Sequence, residues 1–234
     1  MNRAKNPNLQ LLEITVAALG SLADSMVFVG GCATGLLITD IAAPPIRATQ
    51  DVDVITEVAS IWEYQRLSER LRQRGFKEDI SPDAPICRWV TDNVILDVMP
   101  TKREILGFGN EWYPLALEAA ASVTLPSRSR IRMVTSPYFL ATKLEAFEGR
   151  GSGDYVASHD LEDIIAVLDG RTELIDEVRQ SNKILRKHLS AKFAHLLRDK
   201  HFLESLPGHL PGDTASQARV PLVAGRIELL AKMN

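Results

Sequence analysis

Residues 26–54 read MVFVGGCATGLLITDIAAPPIRATQDVDV, and the fold is decided by how they are divided. Met26 to Val29 is a short apolar run that predicts a strand. The pair Gly30-Gly31 follows, where backbone amides can approach a bulky anion because no Cβ stands in the way. Small residues from Cys32 to Thr39 predict a helix start, and Pro44-Pro45 forbids helix in the loop over 40–50. Asp51-Val52-Asp53-Val54 then opens a strand over 51–56. Side chains in a strand alternate between faces, so the carboxylates of Asp51 and Asp53 leave one face while Val52 and Val54 enter the core. Two carboxylates side by side repel each other unless a cation lies between them. An all-oxygen donor set suits magnesium or manganese.

Outward from this stretch, residues 8–23 carry apolar residues at helical spacing. A helix is expected over 60–74, with Ser60 as N-cap, Glu63 completing a capping box and Gly75 beyond its end. Strands are expected over 76–78, 87–91 and 94–98, the last two joined at Asp92-Asn93. Asp97 is the lone charge in the 94–98 run, between Leu96 and Val98. Residues 100–118 predict irregular chain or short helix. Two strands near 122–125 and 130–134 predict a hairpin over Pro126-Ser127. From Ser136 the character changes. Helices are expected over 139–147, from His159 to Leu168 behind Ser158, and over 172–181, 183–206 and 216–232. The polar stretch 149–158 predicts a flexible connector. The expected division is a nucleotide-handling α/β core over 1–135 and a helical domain over 136–234 that closes its cleft.

The totals agree with an ordinary globular protein. The chain has 234 residues, 45% of them apolar and 24% charged, with a formal net charge of −3. No acidic or basic excess marks the whole chain as a nucleic-acid binder. Two isolated cysteines, Cys32 and Cys87, point away from a disulfide framework and toward a reducing compartment. Glu13 interrupts any signal-peptide core, and no apolar run is long enough to span a bilayer, so the expected location is the cytoplasm, with no membrane partner.

Three constellations carry chemistry. The first joins Gly30, Gly31, Thr49, Asp51, Asp53 and Asp97. D-x-D alone is common at strand edges. With a glycine pair upstream on its own strand and a third strand aspartate downstream, it predicts a metal-dependent phosphoryl-transfer site. The second is Lys143, in an apolar helix start where an amine needs a partner, with Asp160 at the N-terminus of the next helix. The third is a basic run, with Lys183, Arg186, Lys187, Lys192, Arg198 and Lys200 within residues 183–201. It reads either as a solvated helix face or as a seat for RNA phosphates. A dinucleotide fingerprint is a poorer reading of the glycines. Their spacing is G-G-x-x-x-G, the Pro-Pro loop breaks the expected connection, and such a fold has no use for Asp53. The glycine-rich segment around Arg150 neither follows a strand nor ends in Gly-Lys-Ser/Thr, which makes a Walker loop a poor reading.

Together these residues resemble the DNA polymerase β-type nucleotidyltransferase superfamily and, within it, the AbiEii/MenT-like nucleotidyltransferases known as toxins of toxin–antitoxin systems. The matching pieces are Val29-Gly30-Gly31-Cys32-Ala33, the stretch from Arg47 through Thr49 to Asp51 and Asp53, and Leu96-Asp97-Val98. Lys143, Ala146 and Arg150 match a Lys-x-x-Ala-x-x-x-Arg helix, and Asp160 and Asp163 an Asp-x-x-Asp helix. The resemblance implies an α+β fold, with a polymerase-β-like mixed sheet flanked by helices and a C-terminal helical region. It implies Asp51, Asp53 and Asp97 as metal ligands for Mg2+ or Mn2+, with Asp160 joining them as a catalytic residue. It implies Gly30, Gly31, Arg47, Thr49 and Lys143 around an NTP substrate. Its toxin members add an antitoxin protein as a possible partner. A non-catalytic scaffold of the same fold is the alternative.

Overall fold

Two neighbouring strands carry the expected carboxylates, and the rest of the first unit is built around them. The computed structural model describes residues 6–151 and 153–233. The chain divides into two compact units, one of residues up to 35 with 48–135, the other of 36–47 with 136 onward.

In the first unit, helix α1 (Leu9–Leu19) buries Leu9, Leu12, Val16 and Leu19 at helical spacing and passes through a 3-10 turn (Gly20–Ser25) into strand β1 (Met26–Val29). All four residues of β1 are buried. Helix α2 (Gly30–Leu37) starts directly at its end. Strand β2 (Asp51–Thr56) buries Val52 and Val54 completely and leaves Asp51 and Asp53 on the opposite face, as period-two alternation requires. In helix α3 (Ile61–Gln73), the Ser60 hydroxyl accepts from the Glu63 amide at 3.3 Å. The Glu63 carboxylate accepts from the Ala59 amide, one residue before the partner a capping box uses. Gly75 follows the helix with φ 88°.

The sheet continues through β3 (Lys77–Glu78), β4 (Arg88–Val90) and β5 (Ile95–Pro100). Helix α4 (Tyr113–Glu118) falls in the stretch expected to be irregular or briefly helical, and β6 (Ala121–Thr124) and β7 (Arg130–Met133) form the expected hairpin. The seven strands lie in the order β3-β4-β5-β2-β1-β7-β6. β2 pairs parallel with β5 and antiparallel with β1, and β1 pairs parallel with β7, so the sheet is mixed. The fold class is α+β, a mixed sheet with helices, followed by a helical region.

The second unit holds α5 (Ser136–Gly151), α6 (His159–Gly170), α7 (Leu174–Gln180), α8 (Lys183–Leu196), α9 (Lys200–Ser205), α10 (Thr214–Gln217) and α11 (Val220–Ala231). Leu185, Leu189, Phe193 and Leu196 form the buried stripe of α8, as their spacing predicts. The helix expected over 183–206 is broken in two, because the Asp199 carboxylate accepts from the His201 amide at 2.9 Å and caps α9.

Segment 36–47 belongs with these helices rather than with the α/β residues that surround it in sequence. The amides of Thr39 and Asp40 both donate to the carbonyl of Gly170 at 2.9 Å. Arg171 donates to the Leu37 carbonyl at 3.1 Å. Arg219 grips Asp169 at 2.7 and 2.9 Å and reaches Asp40 at 2.6 Å. A Cβ on Gly170 would lie 2.8 Å from a methyl of Ile38, so the strap runs against bare backbone.

The stretch expected to be a flexible connector is held in place where it is described, Ser152 lying outside the described residues. The Tyr155 hydroxyl donates to Asp199 at 2.9 Å, and its ring meets Phe147 and Phe202. Asp154 accepts from the amides of Val156 and Ala157.

Candidate functional site

Strand register alone brings the three expected carboxylates together. Asp53 is the direct partner of Asp97 across the parallel β2–β5 pair, and Asp51 lies two residues before Asp53. All three therefore leave one face of the sheet. β1 ends opposite Asp53, where Val29 is its partner, and the chain turns at Gly30 with φ 66°. A Cβ on Gly30 would sit 1.9 Å from Oδ2 of Asp53, so the glycine makes room for that carboxylate.

A residue that the sequence reading passed over completes the row. Arg88 is the antiparallel partner of Asp97 in β4, and its guanidinium lies on the same face. Nε and Nη2 donate to the two oxygens of Asp97, each at 2.8 Å, and Nη2 donates to Oδ2 of Asp51 at 3.1 Å. The other Asp51 oxygen accepts from the Thr49 hydroxyl at 2.7 Å. The hydrogen bonds to Asp97 hold the Arg88 guanidinium more firmly protonated than a free arginine. Arg88 looks like an ordinary outward residue in a short alternating strand. Only its register against Asp97 reveals it.

Asn8 is the second missed residue. It is buried, with Nδ2 donating to the Gly31 carbonyl at 3.3 Å and Oδ1 accepting from the Thr49 amide at 2.9 Å. One side chain thus fixes the glycine turn and the approach to β2 together. Asn8 stands at the start of α1 but makes no side-chain cap there. Cys32, where a hydroxyl residue would offer a contact, is fully buried, and its thiol turns back to the Val29 carbonyl at 3.1 Å. Burial, aided by the charges of Asp97 and Asp53, pushes the Cys87 thiol up to about 12.

The donor chemistry of Asp51, Asp53 and Asp97 fits a hard divalent cation, and the room left by Gly30 is taken by the Asp53 carboxylate. Among the described residues, however, no three Asp, Glu, His or Cys side chains stand in a metal-ready group.

The second unit holds a separate charged cluster. Lys143 on α5 reaches Asp160 at 2.9 Å and Asp163 at 2.7 Å, two carboxylates three residues apart on α6. Ser158 caps α6, its hydroxyl accepting from the Leu161 amide at 3.3 Å, which sets the phase of that face. Arg47 forks onto Asp163 at 3.2 and 3.0 Å, and Arg150 contacts both oxygens of Asp160 at 3.2 and 3.1 Å. The side chains of Lys143 and Asp163 are 9% and 2% exposed, so this is a buried ion cluster. The partner that the Lys143 amine was expected to need is thus present in the protein as a pair of carboxylates. Asp163 and Arg150 entered the sequence reading only as matches to a motif.

The basic run over 183–201 is partly spent on the fold. Arg186 donates to the carbonyls of Arg179 and Ser181, Lys192 pairs with Glu148, and Lys200 with Glu204. Lys183, Lys187 and Arg198 are exposed. Among the described residues no helix is long and apolar enough to cross a membrane.

Comparison with known proteins gives no family model and no curated protein that matches this chain. Two solved structures from Helicobacter pylori resemble it along nearly the whole length. One is named a "putative nucleotidyltransferase"; it is 12% identical, with a TM-score of 0.48, over 99% of this chain and 96% of its own. The other is JHP933, 13% identical with a TM-score of 0.43, over 97% of this chain and 92% of its own.

Proposed function

We propose that the chain is a metal-dependent nucleotidyltransferase that moves a nucleoside monophosphate from an NTP to a hydroxyl acceptor. The observation that carries this reading is the row formed by Asp97 and Asp53, with Asp51 on the same face and the Gly30 turn beside it. Asp51, Asp53 and Asp97 would hold Mg2+ or Mn2+, which when bound neutralises phosphate charge and favours an ionised acceptor oxygen. Gly30 and Gly31 at the start of α2 offer amides to the triphosphate, and Thr49 orients Asp51. Arg47, Lys143 and Asp160 are engaged with Asp163 in the ion cluster of the second unit, and the reading assigns the chemistry to the residues of the first unit alone.

In the reaction the acceptor hydroxyl loses its proton to a carboxylate of the row. Its oxygen bonds to the α-phosphorus, the α–β phosphoanhydride bond breaks, and pyrophosphate leaves. Catalysis then rests on position and electrostatics.

The test offers four α-labelled NTPs, with Mg2+ or Mn2+, to total RNA including tRNA, protein extract and small-molecule pools. Label should enter one pool with the wild type and none with a folded Asp53→Ala protein. No transfer under any of these conditions sinks the reading. Growth arrest on induction of the wild type, relieved by Asp53→Ala, would extend it to a toxin paired with an antitoxin protein. An RNA acceptor would be steered by the exposed cations of α8 and the turn after it, and transfer should then fall steeply with salt.

One observation favours a second reading. The Arg88 guanidinium, itself a cation, is bonded to both Asp97 and Asp51, an arrangement compatible with a nucleotide- or partner-binding scaffold without turnover. Full biological effect in Asp53→Ala would select it.

A further inference from the structure

Arg88 stands where the proposed function needs a cation. The sheet row runs Arg88, Asp97, Asp53 across β4, β5 and β2. Both oxygens of Asp97 and one of Asp51 accept from the guanidinium, and the remaining Asp51 oxygen accepts from Thr49. All four oxygens of these two carboxylates are therefore engaged. Side-chain exposures of 23% for Arg88 and 10% for Asp97 keep much of the water away, so the contact is stronger than a surface ion pair. A divalent cation held by the same carboxylates would lie within a few ångströms of the guanidinium. At that range two positive charges repel strongly in a partly buried site.

We infer that Arg88 is a resident competitor for the metal: the divalent cation enters by exchange, and Arg88 gives up Asp51 and part of Asp97 when it does. Arg88 is then a positioning residue with two tasks. Before loading, it fixes the orientation of the Asp51 and Asp97 carboxylates, whose face the strand register has already set, and offsets their mutual repulsion. During loading, its displacement sets the cation concentration at which the site fills. The inference rests on the proposed metal site at Asp51, Asp53 and Asp97, and it adds that a charge the protein carries itself weakens that site.

The test uses the full chain and Mn2+ alone, followed by the loss of the free-ion paramagnetic signal. Arg88→Gln keeps a polar side chain and removes the charge. Its Mn2+ dissociation constant should fall by about tenfold or more relative to wild type, a fraction of what like charges cost at this range. Arg88→Lys, which keeps the charge but loses the fork, should lie between them. Mn2+ binding no tighter in folded Arg88→Gln than in wild type would overturn the competition.

A second measurement needs no variant. The Arg88 Nε–H resonance of the wild-type protein should shift and exchange faster with water as Mg2+ is added. A resonance that Mg2+ leaves untouched would also overturn the proposal. The label-transfer assay separates this inference from the function it rests on. Transfer with no gain in Mn2+ affinity removes the competition and keeps the enzyme. A gain in affinity without transfer keeps the competition and removes the enzyme.

Discussion

A methyl group on Gly30 would lie 1.9 Å from Oδ2 of Asp53. The absence of one side chain is what gives the other its position. Gly30 also has φ 66°, a conformation other residues adopt only with strain. Gly30→Ala should therefore cost about 1–3 kcal/mol for the backbone, plus displacement of Asp53. Gly75 has φ 88° but open space around its Cα, so Gly75→Ala should show the backbone cost alone. Urea unfolding of both variants measures the difference, and equal losses would remove the steric role of Gly30.

Asp163 is the most buried member of the second charged cluster and is gripped by both Lys143 and Arg47. Asp163→Ala leaves two cations without that carboxylate and should destabilise by about 3–5 kcal/mol. Asp160→Ala should cost less. One of its two cations, Arg150, has a side chain that is 74% exposed and returns to water easily. Denaturant midpoints decide the order, and a larger loss for Asp160→Ala would contradict it.

Arg219 is the clamp on the strap. Removing it strands the Asp169 carboxylate, whose side chain is 1% exposed, and releases Asp40. Arg219→Ala is expected to destabilise by about 3 kcal/mol or more. Hydrogen exchange should accelerate at the amides of Thr39 and Asp40, which both donate to Gly170. Unchanged exchange at those amides would show that backbone contacts hold the strap without Arg219.

Cys87 and Tyr64 both contribute to the alkaline side of the stability curve. Burial, reinforced by Asp97 and Asp53, raises Cys87 from 9.0 to about 12, and burial raises Tyr64 from 10.0 to about 12. Each folded-state value lies above the unfolded one, so the unfolded chain releases its proton first as pH rises. Their contribution is complete below pH 9, declines as the unfolded groups ionise, and is gone by about pH 12. Thermal melts should show this fall beginning near pH 9, and Cys87→Ala should make it shallower. Cys87 in the folded protein should also resist alkylation at pH 8.

The sequence was most readable where one local rule decides the outcome. Val52 and Val54 alternate with Asp51 and Asp53, so β2 and its carboxylate face could be read directly. Ser60 and Ser158 cap the helices they precede. What could not be read depends on partners far along the chain. Arg88 finds Asp51 37 residues away, and Asn8 finds Thr49 41 residues away. Both pairings depend on sheet register and chain path, which local pattern does not declare. Arg47 sits beside the D-x-D stretch in sequence, yet its fork closes on Asp163, 116 residues later. The resemblance implied a role at the nucleotide, and the structure gives Arg47 a direct contact with the buried Asp163 carboxylate.

The strap has a consequence for synthesis. The second unit is written in two pieces, with most of the first unit between them, and Asp40 precedes its partner Arg219 by 179 residues. On a ribosome, β1, β2 and β5 are all available to pair while residues 36–47 still lack every helix they bind. The α/β unit can therefore fold first, and the helical unit closes only near the end of translation. Cutting the chain at 135 does not yield two independent pieces. The C-terminal fragment would lack the residues that occupy the Gly170 carbonyl, Asp163 and part of Arg219. A helical unit produced alone must carry 36–47 rejoined to it.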